Sequence, residues 1–148
     1  MASAIINAEP SRVYAVLADY KKHHPRIVPP KYFRSIEVLE GGIGDGTRTR
    51  IEMRVLGRSR RFEHFITEPE RGHIIVESDK DGDSVTSFIV DPVEGGKGTR
   101  LTIQTKFKTR NGLLGRVERA MTASMLQRIY AEELGLISQY MREARDAE

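Results

Sequence analysis

The sequence has no cysteine and no tryptophan among its 148 residues. Without cysteine, a disulfide bond, a thiolate nucleophile and a cysteine-ligated metal are all excluded. No apolar run approaches the ~18 residues of a membrane-spanning helix, and the first residues do not form a signal-peptide core. We therefore expect a protein of the reducing cytoplasm with no transmembrane segment.

The chain also lacks a strong charge of either sign. Its 24 basic and 21 acidic residues give a net charge of +3, well short of the dense basic face of a dedicated DNA-binding protein, so we predict no DNA partner. Its four histidines do not have the spacing of a zinc site, and we predict neither a metal nor another cofactor. A hydrophobic content of 39% favours one globular domain over residues 1–148.

The hydrophobic periodicity predicts the order of the elements. A strand at 2–8 precedes an amphipathic helix at 10–20, and a short helical turn follows at 21–24. Six alternating, glycine-bounded segments then indicate strands at 32–39, 47–56, 61–67, 73–78, 84–90 and 99–108. A proline-free helical pattern fills 111–148. The predicted fold is α+β: a curved seven-stranded antiparallel sheet wrapped around a long C-terminal helix, with a space between them where a small molecule could bind.

The C-terminal helix carries two apolar stripes that point to nearly opposite sides. The first comprises Leu114, Val117, Met121 and Met125, and the second Leu126, Tyr130, Leu134, Ile137 and Met141. At about 100° per residue, one straight helix cannot bury both stripes against one surface. We therefore predict either a kink or break within 122–127, or a first half that covers a cavity entrance or a second copy of the chain in a homodimer.

Several segments resemble one known superfamily. They are Ile5-Ile6-Asn7-Ala8-Glu9-Pro10-Ser11-Arg12-Val13, the stretch 17–20, the strand and glycine turn at 35–41, the stretch 98–102 and the helix at 130–140. These resemble the START-like (SRPBCC) helix-grip superfamily, which includes polyketide cyclase/dehydrases, lipid-transport proteins and birch-pollen allergens. The resemblance implies a helix-grip fold over the whole chain and a cavity for lipids, quinones, polyketides or similar molecules. It implies no catalytic residue, since the superfamily shares no catalytic motif.

His64 is the candidate for chemistry. It alternates with apolar residues on the predicted inner face of its strand, where it could act as a general base or anchor the polar end of a ligand. The alternative is a buried histidine bonded to a neighbouring element. The predicted ligand-binding residues face the same space, although each could equally be core: Met53, Phe62, His64, Phe88, Ile103, Met121, Met125 and Tyr130.

Arginines are concentrated on two neighbouring strands. Arg48, Arg50, Arg54 and Arg61 share the predicted outer face, with Glu52 and Glu63 between them, and Arg58 and Arg60 fall in the adjoining turn. Such a surface could bind RNA, phosphate or an anionic membrane. The interleaved glutamates favour a cross-strand charge ladder instead.

These observations leave three functional hypotheses. The favoured one is binding of a hydrophobic or amphipathic small molecule between sheet and helix, driven by apolar burial. The second is a cyclase/dehydrase-type enzyme, a lyase or isomerase without metal, which the sequence disfavours because the inner faces offer only His64. The third is a protein or RNA interaction module that uses the arginine-rich face.

Overall fold

The computed structural model describes the backbone of residues 1–55, 57–108 and 113–148, and the side chains of 1–54, 57–108 and 123–148. The order of elements agrees with the prediction, and the seven-stranded antiparallel sheet with its C-terminal helix is confirmed. The elements are β1 (Ala2–Ile6), α1 (Pro10–Ala18), a 3-10 turn (His24–Arg26), β2 (Phe33–Glu40), β3 (Arg48–Val55), β4 (Arg58–Glu70), β5 (Ile74–Asp79), β6 (Ser84–Val93), a second 3-10 turn (Glu94–Gly96), β7 (Gly98–Phe107) and α2 (Leu113–Asp146).

The sheet is open, with strand order β1-β7-β6-β5-β4-β3-β2 and antiparallel pairing throughout. Register shifts interrupt the β2–β3 ladder twice and the β4–β5 ladder once, between Thr67 and Glu70. Such irregularities bend a strand and increase its twist. The sheet therefore has a concave face, on which its alternate residues meet the helices.

One end of the concave face is a solid apolar core. Its sheet residues are buried to 2% exposure or less: Ile66, Ile75, Phe88, Val90, Leu101 and Ile103. Helix α1 packs against β6 and β7, and Val13 and Leu17 of its apolar stripe are fully buried. Each such side chain contributes about 1.5–3 kcal/mol by leaving water. This end, called here the closed half, supplies much of the stability of the domain.

Helix α2 runs without interruption from Leu113 to Asp146, so the predicted break within 122–127 is wrong. Its second half covers the core with Ile129, Tyr130, Glu133, Leu134, Ile137 and Met141. Met125 is half-buried against the core, whereas Met121 lies outside the described side chains. The alternative for the first half, a cavity entrance or a homodimer contact, therefore stays a prediction. Within the described parts of the chain, no helix is long and apolar enough to cross a membrane.

The glycine-rich loop between β2 and β3 is fastened to α1. The Gly44 amide donates to the Ala18 carbonyl at 2.9 Å. The Glu68 carboxylate accepts from the Asp45 amide at 2.7 Å and from the Tyr14 hydroxyl at 2.5 Å. Burial and the Glu68 contact raise the pKa of Tyr14 to about 12. Burial alone would raise the pKa of Glu68, but the Tyr14 and Asp45 hydrogen bonds lower it.

Candidate functional site

Polar side chains cross the concave face in one row, with one residue from each of five neighbouring strands. They are Thr49, His64, Glu77, Thr86 and Thr105, and we call this row the polar belt. Thr49 pairs with His64, Glu77 with Thr86, and Thr86 with Thr105 in the strand register. His64 Nδ1 lies 3.7 Å from Glu77 Oε2 and joins the two parts of the row. The belt separates the closed half from the part of the concave face toward the β3–β4 hairpin, where Met53 and Phe62 are only half-buried and which we call the open half.

Glu77 is the centre of the belt. Its side chain is only 9% exposed, and three side chains surround its carboxyl group. The Tyr20 hydroxyl donates to Oε1 at 2.7 Å, and His24 Nε2 lies 3.6 Å from the same oxygen. Since His64 faces the other oxygen, both oxygens of this buried carboxyl have a polar neighbour that can donate a hydrogen bond.

His24 is held in one tautomer. Its Nδ1 lies 2.7 Å from the Leu17 carbonyl, which can only accept, so Nδ1 carries the proton. The ring stacks on Tyr20 with centroids 4.3 Å apart and meets Phe88 edge-on at 5.7 Å. Burial lowers the pKa of His24 because it disfavours the imidazolium. A neutral His24 therefore directs the lone pair of Nε2 at the Glu77 carboxyl, and can accept a proton there.

Helix α2 brings a second carboxyl and a hydroxyl to the belt. Glu133 is 2% exposed, and burial, with the charge of Glu77 nearby, raises its pKa well above 4.5. The Tyr130 hydroxyl lies 2.5 Å from Thr105 Oγ1 and 3.5 Å from Thr86 Oγ1. Burial also raises the pKa of Tyr130. Burial thus favours the protonated form of the Glu133 carboxyl, which, like the Tyr130 phenol, can donate a hydrogen bond.

Three buried polar atoms at this site have no hydrogen-bond partner among the described residues. They are Thr49 Oγ1, His64 Nδ1 and Glu133 Oε1. A buried polar atom without a partner costs roughly 1–3 kcal/mol, so native proteins rarely retain several close together. Thr49 and His64 are direct register partners, so a single oxygen atom of a ligand could reach both.

The predicted site residues divide between the belt, the open half and the core. His64 and Tyr130 lie at the belt, while Met53 and Phe62 lie half-buried on the open half. Phe88 and Ile103, at 2% and 0% exposure, belong to the closed core.

The expectation that the inner faces offer only His64 is wrong. The structure adds four residues that the sequence interpretation missed: Tyr20, His24, Glu77 and Glu133. One of them had a signal in the pattern, because Glu133 lies within the second apolar stripe of α2.

On the convex face, the predicted charge ladder is present at the glycine-loop end. Arg50 reaches Glu37 at 3.4 Å and Glu63 at 3.5 Å, and Arg48 reaches Glu40 at 3.5 Å. These pairs bridge three strands, so this half of the arginine cluster is largely neutralised.

The placement of Arg58 and Arg60 in a turn is wrong. Both belong to β4, which begins at Arg58, and their register partners are Val55 and Met53. Direct partners in an antiparallel pair share a face. Since Met53 packs against the core, Arg60 and, by alternation, Arg58 lie on the concave face at the hairpin end.

Two surface concavities lie away from the belt. One of about 390 Å³ separates β1 from α2, and one of about 220 Å³ is lined by Arg12, Lys97 and Arg145 among others. In the described residues, no three or more histidine, aspartate or glutamate side chains are arranged to hold a metal ion.

The chain belongs to the polyketide cyclase / dehydrase and lipid transport family, whose model matches residues 1–142. This confirms the resemblance to the START-like, helix-grip superfamily. No curated protein matches the chain significantly.

Solved structures repeat the fold over nearly its whole length. The KanY protein is 27% identical, with a TM-score of 0.81 over 95% of this chain and 94% of its own. A protein from Thermus thermophilus is 22% identical, with a TM-score of 0.77 over 97% and 96%. The Zhui aromatase/cyclase from a Streptomyces species is 19% identical, with a TM-score of 0.75 over 94% and 90%. The last two proteins are less than 25% identical to this chain, so their similarity supports a shared fold and nothing further.

Proposed function

We propose that the protein binds a hydrophobic or amphipathic small molecule between sheet and helix, with an oxygen-bearing end of the ligand at the polar belt. The observation that carries the proposal is the set of unpartnered buried atoms, above all Thr49 Oγ1 and His64 Nδ1. A ligand oxygen at that point would give both atoms a partner, and an apolar body would lie against Phe62 and Met53. Membership of a family described by cyclisation, dehydration and lipid transport supports the same ligand class.

The first test combines native mass spectrometry of the purified protein with a matched pair of probes. An extracted lipid, quinone or polyketide would give the ligand class directly. For the pair, 2-naphthol is expected to bind about tenfold more tightly than naphthalene, because its hydroxyl group pairs with the belt. The Thr49→Val variant should remove that preference without loss of stability, since it deletes a buried hydroxyl that has no partner. His64→Ala should also weaken 2-naphthol binding.

Two matched controls test whether a threonine or histidine substitution outside the belt also changes the affinity for 2-naphthol. Thr102→Val changes a threonine of β7 whose hydroxyl bonds Ser3 on the other face, and His73→Ala removes a histidine held by Glu70 and Asp91 at the surface. Neither should alter 2-naphthol affinity. Equal binding of 2-naphthol and naphthalene by the unmodified protein, with no effect of Thr49→Val, contradicts binding at the belt.

A second candidate function is acid–base chemistry in the same space, of the cyclase/dehydrase kind. It is favoured by the one feature the sequence interpretation lacked, a buried carboxyl between two histidines. In this hypothesis Glu77 takes a proton from the carbon next to a ligand carbonyl, which leaves an enolate, and a protonated neighbour such as Glu133 or Tyr130 donates to the enolate oxygen.

Proton exchange tests this hypothesis without knowledge of the substrate. In D₂O the protein should catalyse deuterium incorporation into 2-tetralone, measured by mass spectrometry. Glu77→Gln should lower the catalysed rate by about 100-fold or more, because it removes the base. Glu63→Gln, on the convex face, is the control and should leave the rate unchanged. Exchange at the uncatalysed rate, or an equal rate in Glu77→Gln, excludes this role for Glu77.

A further inference from the structure

Two arginines share the concave face with the polar belt but lie at its open end. Arg60 is the register partner of Met53, and along β4 it is followed on the same face by Phe62 and His64. Arg58 lies two residues further toward the hairpin. A molecule in the open half would therefore have the belt at one end, Phe62 beside it and the two guanidinium groups at the other end.

These arginines differ from Arg48 and Arg50, which lie at the other end of the same strands. Arg48 and Arg50 are paired with glutamates across the convex face. Both hairpin arginines are exposed, and no carboxylate of the described residues lies within ion-pair distance of either. Arg58 and Arg60 thus place two positive charges on the concave side of the hairpin, at the end of the open half, and the described residues offer no carboxylate to pair with them.

We propose that Arg58 and Arg60 bind the anionic group of an amphipathic ligand whose oxygen-bearing end lies at the polar belt. The inference rests on the proposed function and narrows its ligand class to molecules with a carboxylate or phosphate group. A guanidinium group suits either anion, because its planar donors can form two parallel hydrogen bonds to two oxygens.

The strand geometry limits the length of this ligand. His64 is four positions beyond Arg60 in β4, so their Cα atoms lie about 13 Å apart at 3.3 Å per residue. The long side chain of Arg60 can lean along the strand, which would shorten the gap between its guanidinium group and the imidazole of His64. The two polar ends of the ligand should therefore be within about 10 Å of each other, the length of a two-ring body.

The test uses a rigid molecule of this shape, 6-hydroxy-2-naphthoate, and its neutral methyl ester. The unmodified protein is expected to bind the carboxylate about tenfold more tightly than the ester in a fluorescence titration. The double variant Arg58→Gln, Arg60→Gln should bind both equally, because it retains the belt and the apolar wall. The control Arg54→Gln, Arg61→Gln, on the convex face of β3 and β4, removes the same two positive charges and should retain the tenfold preference.

The outcomes separate this inference from the proposed function. If carboxylate and ester bind equally, and Thr49→Val weakens both, ligand binding stands and the anion site is overturned. If neither probe binds, both proposals fail. If the convex control Arg54→Gln, Arg61→Gln reduces the preference as much as Arg58→Gln, Arg60→Gln does, the effect is the diffuse positive field of the hairpin, and the anion site is likewise overturned. The anion site is also overturned if Arg58→Gln, Arg60→Gln loses affinity for anionic phosphatidylglycerol vesicles but not for the carboxylate.

Discussion

Replacing Glu133 with glutamine is expected to stabilise the protein, and more so as the pH rises. Burial, with Glu77 nearby, raises the folded-state pKa of Glu133 above its ordinary value of 4.5. Between those two pKa values the folded state binds a proton that the unfolded chain releases, so the stability of the unmodified protein falls as pH increases. The fall is about 1.4 kcal/mol for each pH unit in that interval.

Glutamine keeps the shape and has no proton to lose, so the Glu133→Gln curve should be flatter. Urea unfolding at pH 4.5 and pH 8 measures this, with a difference between the proteins that is small at pH 4.5 and clearly larger at pH 8. Glu132→Gln is the control: this neighbour is exposed, and its replacement should leave the pH dependence unchanged. A Glu133→Gln protein that is less stable at pH 8 than the unmodified one would contradict a protonated, buried Glu133.

Replacing Gly44 with alanine is expected to destabilise the protein by about 3 kcal/mol. Gly44 has φ +63°, and a Cβ there would lie 2.1 Å from Glu68 Oε1. That oxygen accepts from the Asp45 amide, and its partner oxygen accepts from Tyr14. Alanine would therefore add backbone strain of about 1 kcal/mol and displace a carboxylate that makes two hydrogen bonds. The free energy of unfolding from urea titration measures the loss.

A substitution at the neighbouring Gly46 distinguishes the cost of backbone strain from the cost of displacing the Glu68 carboxylate. Gly46 has φ +84° but open space where a Cβ would lie, so Gly46→Ala should cost only the backbone strain. In a Glu68→Ala background, Gly44→Ala should likewise cost about 1 kcal/mol, because the displaced group is gone. Equal losses for Gly44→Ala and Gly46→Ala would mean that Glu68 moves aside freely and does not fasten the loop.

The strand pattern predicted the sheet because most strands alternate one apolar and one polar face. In β3 the buried Thr49 and Ile51 alternate with arginines, which fixes both the element and its inner side. For α2 the two apolar stripes left two alternatives, a kink or break within 122–127 or a first half that covers a different surface, and the uninterrupted helix excludes the break. In the uninterrupted helix the second stripe is buried against the sheet. Met125, the last residue of the first stripe, is half-buried against the core.

The site was less predictable, for reasons that individual residues make clear. In β5 both faces contain aliphatic residues, so alternation alone could not tell that Glu77 points inward. Glu133 lies among apolar residues of α2, where a single carboxyl is normally interpreted as a solvated flank. His24 comes from a proline-broken segment with no periodicity, and only the tertiary fold brings it to Glu77. Burying a charged group costs free energy, so most polar residues lie at the surface, and a sequence pattern is interpreted on that basis. Buried carboxyl groups such as Glu77 and Glu133 are exceptions that the pattern does not reveal.

The division of the concave face has a consequence for how this domain could be altered. The groups that hold it together lie mainly in the closed half, beneath α1 and the second half of α2, whereas the polar belt and the hairpin arginines lie beyond them. For the proposed ligand site, a library confined to positions 49, 53, 60, 62 and 64 is thus expected to change ligand preference while leaving the closed half intact. For protein engineering, the closed half would serve as a fixed scaffold and the open half as the region to vary, and both lie on one continuous sheet.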